Sequence, residues 1–161
     1  MWERSGHGLI YHGGRSAARR GGAFLGRLDI DTGACIEIPF PEGWERYGHF
    51  TVGKDGLLVA DGYYEDSDYL PSSFGQWIVR LDVDWSGQCT RWTPICRSRS
   101  SWRSQDAHPH PILDHECRYV YFTSDRSGTR SVYRASVGGL LIDHDLSRYG
   151  PASQAPISGV P

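Results

Sequence analysis

Gly26-Arg27-Leu28-Asp29-Ile30-Asp31 and Val79-Arg80-Leu81-Asp82-Val83-Asp84, which follows 53 residues later, are two copies of one pattern. A second pair, Gly8-Leu9-Ile10-Tyr11 and Gly56-Leu57-Leu58-Val59, recurs 48 residues apart. A unit of about 50 residues made only of strands is the sequence signature of a propeller blade. A β-sandwich also strings short strands between turns spaced roughly 8–12 residues apart. It does not require the Arg-Leu-Asp-[Ile/Val]-Asp recurrence, which therefore favours the propeller.

The rest of the chain fits the same cycle. Leu9–His12, Ala23–Ile30 and Cys35–Ile38 read as strands separated by Gly- and Asp-rich turns. The cycle restarts with His49-Phe50-Thr51-Val52, a Lys54-Asp55-Gly56 turn and Leu57–Ala60, followed by Trp77–Val83 and Cys89–Trp92. A third cycle opens near His110 and runs through Tyr119–Thr123 and Ser131–Arg134. The expected fold is all-β, a partial β-propeller of about three antiparallel four-stranded blades over residues 1–137. Gly138-Gly139 breaks the pattern and the end is rich in Pro, Ser, Gly and Ala, so 138–161 is expected to be a poorly ordered tail. Three blades leave strand edges and apolar faces uncovered, so the chain is expected to be part of a larger propeller.

Composition agrees and excludes other classes. Aromatic residues make up 12% of the chain and Gly occupies 20 positions, while Met and Lys occur once each, which disfavours a helical domain. A net charge of −2 gives no electrostatic case for nucleic acid or an anionic membrane. The four cysteines, Cys35, Cys89, Cys96 and Cys117, form no CxxC pair. No apolar leader or membrane-length run is present. A reduced, cytoplasmic protein is expected.

The strongest local signal is Gln105-Asp106-Ala107-His108-Pro109-His110-Pro111. A residue before proline is pushed toward extended backbone, and residues two apart on extended backbone share a side. His108 and His110 are thus expected to present two imidazoles to one face, with Gln105 offering an amide oxygen nearby. His49 opens the preceding repeat as His110 opens the next, so adjacent blades can bring the three together. All four groups are neutral and leave a divalent cation its full charge, which suits binding a carboxylate and Lewis-acid chemistry. The bland reading is that strand histidines are ordinary polar residues. His7, His115 and His144 are assigned to the surface, with His12 able to line the pocket.

These residues resemble oligogalacturonate lyases. Gln-x-x-His-Pro-His-Pro followed by Val120-Tyr121-Phe122-Thr123-Ser124-Asp125, Gly128 and Val132-Tyr133 is similar to the last blade of that family. Tyr47-Gly48-His49-Phe50, Leu58–Gly62 and Ile10-Tyr11-His12-Gly13 are similar to family segments in the same order, and the resemblance covers roughly residues 2–136. It implies a seven-bladed propeller enzyme that binds a divalent metal, usually Mn²⁺, through three His and one Gln. Those positions correspond to His49, His108, His110 and Gln105. It also implies β-elimination on oligogalacturonides in pectin breakdown, with a base in a His-Glu-x-Trp segment. Only Met1-Trp2 matches the end of that segment. The catalytic residues of this chain therefore stay unassigned, and turnover by the chain alone is not expected.

Three rival readings come from other classes. A non-catalytic propeller scaffold for protein interaction is the alternative, and it has no use for His49, Gln105 and the His-Pro-His pair together. A serine hydrolase needs a Gly-x-Ser-x-Gly elbow, which is absent. A glycoside hydrolase needs two opposed carboxylates, for which Asp61 and Asp125 are the best pair available.

Overall fold

The computed structural model describes residues 1–13, 23–40, 47–64 and 75–138. Ten strands follow in chain order: β1 (Gly8–Gly13), β2 (Phe24–Asp29), β3 (Cys35–Pro39), β4 (Tyr47–Val52), β5 (Leu57–Tyr64), β6 (Gly75–Asp84), β7 (Cys89–Arg97), β8 (Ile112–Leu113), β9 (Tyr119–Ser124) and β10 (Ser131–Ser136). One 3₁₀ turn, Gln105–Ala107, precedes β8. Every strand pairing is antiparallel. The strands form three sheets, ordered β1-β2-β3, β4-β5-β6-β7 and β10-β9-β8. Each sheet is a consecutive meander, so the chain is a partial β-propeller, as its internal repeat indicates.

Among the described residues the three sheets hold three, four and three strands, where the repeat predicts four in each. The first sheet has a single bridge, Trp2 to Leu9, where an inner strand would lie. In the third, the described strands are β8, β9 and β10. The expected tail at 138–161 lies, but for Gly138, outside the described residues.

Period-2 alternation makes the middle blade two-faced. Leu58 and Ala60 of β5, with Val79 and Leu81 of β6, pack against Ile10, Leu25 and Phe40 of the first blade region. Val59 and Ile78 point the other way, into Leu113, Val120, Phe122, Tyr133 and Ala135 of the third. Asp61 is two residues beyond Val59 and so looks toward the third blade as well. The two copies of the repeat occupy equivalent strands, β2 and β6, and make the same ion pair. Arg27 meets Asp29 at 3.5 Å and Arg80 meets Asp82 at 2.7 Å. Arg4 reaches across to donate to the carbonyls of Asp114 and His115 in the third blade.

All four cysteines are free thiols. Cys96 is buried, and desolvation pushes its thiol up to about 12, so it is inert core. Among the described residues no helix is long and apolar enough to cross a membrane.

Ile78 is 0% exposed at the contact between the middle and third blades. Ile78→Ala is expected to cost about 2–5 kcal/mol in urea unfolding, through lost burial and the cavity left behind. A loss under about 1 kcal/mol would mean that the blades do not pack as described.

Candidate metal centre

The site is built at one end of β4 and β5. Tyr47 pairs with Gly62 and Phe50 with Ala60, so Gly48 and His49 together oppose the single residue Asp61. Two residues against one is a β-bulge, a device that re-aims a side chain. Here it turns His49 out of the ladder toward the third blade. Gly48 permits this: a Cβ there would lie 2.9 Å from Asp61 Oδ1 and 3.4 Å from the Trp102 ring.

The partner histidines come from the segment after the 3₁₀ turn. His108 is extended, at φ −73° and ψ 142°, as its place before Pro109 requires. Pro109 is fastened to β9 by its carbonyl, which accepts the Thr123 N–H at 2.8 Å. His110 departs from the expectation. It has φ +46°, a left-handed backbone, rather than an extended one. Two contacts select that conformation: its N–H donates to Asp61 Oδ2 at 2.9 Å, and its Nε2 lies 3.2 Å from the Gln105 carbonyl. The shared face therefore comes from a turn held by hydrogen bonds, not from strand alternation.

His49, His108 and His110 offer ligand nitrogens that all lie within 4.8 Å of one another. Ring centroids are 3.8 Å apart for His49 and His110, 5.6 Å for His49 and His108, and 5.9 Å for His108 and His110. Imidazoles bound about 2.1 Å from a common metal stand roughly 3–3.5 Å apart at nitrogen, so small side-chain rotations close the set. The Nδ1 atom of His108 is buried with no hydrogen-bond partner. A buried polar atom without a partner carries a desolvation cost, which a cation would relieve. The donor set thus fits a divalent ion. Neutral imidazoles suit Zn, Cu, Fe and Ni, and an amide or carbonyl oxygen extends the range to harder ions such as Mn.

Gln105 starts the 3₁₀ turn beside the cluster. The contact that joins it to a histidine is its backbone carbonyl on His110 Nε2. When Nε2–H donates to that carbonyl, His110 keeps its Nδ1 lone pair for a ligand.

Two residues complete the site that the motif did not reveal. Asp61 is 0% exposed and accepts from the His49 N–H at 2.6 Å, from His110 N–H, and from His49 Nδ1 at 3.2 Å. Burial of a carboxylate costs several kcal/mol unless hydrogen bonds replace water, and here they do. Its charge also partly offsets that of a bound cation, so the surroundings are not wholly neutral. Trp102 lies 4.6 Å from His108, ring to ring, and its own φ is +56°. A left-handed backbone at a bulky residue persists only where its surroundings force it. The residue before it, Ser101, is held by Asp125, which accepts from the Ser101 N–H at 2.8 Å and the Ser101 hydroxyl at 2.5 Å.

The remaining ionisable groups sort readily. Those Ser101 hydrogen bonds hold the Asp125 carboxyl below its ordinary range, whereas a glycosidase acid needs a raised value. Asp61 is bound beneath the histidines, so the pair does not present two opposed pocket carboxylates. His12 lies one residue before the end of β1, with its ring 5.5 Å from that of Phe50. Desolvation, then His49 and the amino terminus, lower its imidazole below the ordinary value, so it is neutral at pH 7. His7 and His115 pair with Asp31 and Glu116 on the surface. His144 lies outside the described residues. A cavity of about 430 Å³ opens elsewhere, at the Lys54-Asp55-Gly56 turn, the opposite end of these strands. Among the charged residues lining it, Glu3 pairs with Arg27 and Lys54 with Glu116.

No family model matches the chain. Among curated proteins, the intermembrane phospholipid transport system lipoprotein MlaA of Escherichia coli (strain K12) is 34% identical over 67 residues, covering 40% of this chain and 24% of MlaA. Two solved structures resemble most of the chain. The oligogalacturonate lyase of Vibrio parahaemolyticus matches with a TM-score of 0.65 at 21% identity, over 86% of this chain and 35% of that one. An oligogalacturonate lyase in complex with manganese matches with a TM-score of 0.59 at 21% identity, over 84% of this chain and 34% of that one. The chain therefore spans about a third of each lyase, and what it shares with them is the partial β-propeller fold.

Proposed function

We propose that this chain carries the metal-binding part of a lyase that cleaves short galacturonate oligomers by β-elimination. His49, His108 and His110 would hold the metal, with Gln105 as fourth ligand and Mn²⁺ as the ion. The observation that supports this most is the convergence of three imidazoles from two blades on a fold like that of the lyases. When bound, the cation would neutralise a uronate carboxylate and favour the negative charge that develops as the C5 proton leaves. Loss of that proton and cleavage of the C4–O bond would leave a 4,5-unsaturated sugar. The chain's own part is placement. Asp61 and the bulge hold His49, the Gln105 carbonyl holds His110, and the Trp102 ring walls off His108 from one side. The substrate class, the absence of nucleic-acid and membrane partners and the cytoplasmic location belong to the same proposal. A scaffold role gains no support from a buried, unpaired His108 Nδ1.

The test is trigalacturonate binding by the 161-residue chain, followed by NMR with and without a divalent ion. Binding should require the ion, disappear with EDTA, and fail for a neutral galactose trimer. Binding indifferent to metal would sink the reading.

A further inference from the structure

The single buried acid among the described residues stands directly under the histidines. Asp61 comes from β5, in the sequence Leu57-Leu58-Val59-Ala60-Asp61-Gly62, where its neighbours on the strand are apolar core. An apolar residue at this position would pack against the third blade as Val59 does, without the cost of burying a charge. The carboxylate is spent on three donors from two blades. His49 N–H and His49 Nδ1 belong to β4, and His110 N–H belongs to the turn before β8.

We infer that Asp61 is the positioning residue of the centre, fixing two of its three imidazoles at once. This rests on the metal-site reading given above. Its effect on His49 is on the tautomer. A carboxylate at Nδ1 retains the proton there and leaves the Nε2 lone pair for a cation. Its effect on His110 is on the backbone. Accepting that N–H holds a left-handed residue in the one conformation that returns its ring over His49, at 3.8 Å between centroids. One side chain therefore ties a backbone donor of each blade to the same carboxylate and sets the lone pair of His49. Gly48 belongs to the same device, because a Cβ there would press on Asp61 Oδ1 at 2.9 Å.

Two measurements on the full 161-residue chain decide the matter. The first is long-range ¹H–¹⁵N NMR of the metal-free wild type near pH 8.5, well above the ordinary imidazole value. His49 should be protonated at Nδ1 and bare at Nε2, whereas the opposite tautomer overturns the inference. The second is a Mn²⁺ titration of Asp61→Asn, followed by the EPR signal of the free ion. The amide keeps the size of the carboxylate but cannot accept from all three donors. The dissociation constant should rise about 10–100-fold, as when the partner of a ligating histidine is lost, while the far-ultraviolet sheet spectrum stays. An unchanged constant overturns the inference. If Asp61→Asn does not fold, the wild-type tautomer alone decides. If the wild type binds no Mn²⁺, the metal-site reading fails, and the tautomer still judges Asp61.

Discussion

His108→Ala should raise the dissociation constant for a divalent ion by more than about 100-fold, beyond what losing a ligand's hydrogen-bond partner costs. His108 is the histidine whose Nδ1 is buried and unpaired, and its ring is fixed between Trp102 and the other two imidazoles. Removing it leaves His49 and His110, still tied to Asp61 and Gln105, but two imidazoles and the proposed Gln105 oxygen leave one ligand position empty. The sheets should survive, because His108 sits outside both apolar clusters. Titration of the variant, with circular dichroism as the fold control, reads both. Retained affinity would place the metal elsewhere.

The second large effect is an absence of turnover. The 161-residue chain with Mn²⁺ and digalacturonate should form no unsaturated product in an absorbance assay. It spans about a third of each lyase it resembles, and it contains no His-Glu-x-Trp segment. A general base contributes about 10²–10⁴-fold, or roughly 3–5 kcal/mol of barrier. Fixing the sugar among further blades contributes about 7–11 kcal/mol. On the proposed reading, a chain lacking both would bind metal and sugar without a proton acceptor and without further blades to fix the sugar for reaction. Clear turnover abolished by His12→Ala would contradict this and make His12 the base, a role its neutrality at pH 7 permits.

The blade fold was legible because it is written twice. The Arg-Leu-Asp pattern fell on equivalent strands, β2 and β6, and the alternation in Tyr119–Ser124 appears as alternate burial along β9. The pairing of His49 with the His-Pro-His segment was legible for the same reason: repeats bring like positions together. What was illegible depends on contacts between distant segments. Asp61 within Leu-Val-Ala-Asp-Gly reads as a strand end, and its burial becomes visible only when the third blade brings the His110 N–H to it. The bulge at Gly48-His49 leaves no compositional mark beyond one glycine. Trp102 sits left-handed in an Arg/Ser stretch without periodicity, after Ser101, which Asp125 holds from more than twenty residues on. The sequence predicts an extended His110 because the rule for residues before proline is local, and two hydrogen bonds outweigh it.

The central claim is that one divalent ion sits among three particular histidines. Mn²⁺ is paramagnetic and broadens the resonances of nuclei near it, so substoichiometric Mn²⁺ added to the ¹⁵N-histidine-labelled chain tests the claim most directly. The ring signals of His49, His108 and His110 should vanish together first, with His12 following and His7 and His115 persisting. Broadening that begins at His7 or His115, beside their surface carboxylates, or that spares the three histidines, would contradict it.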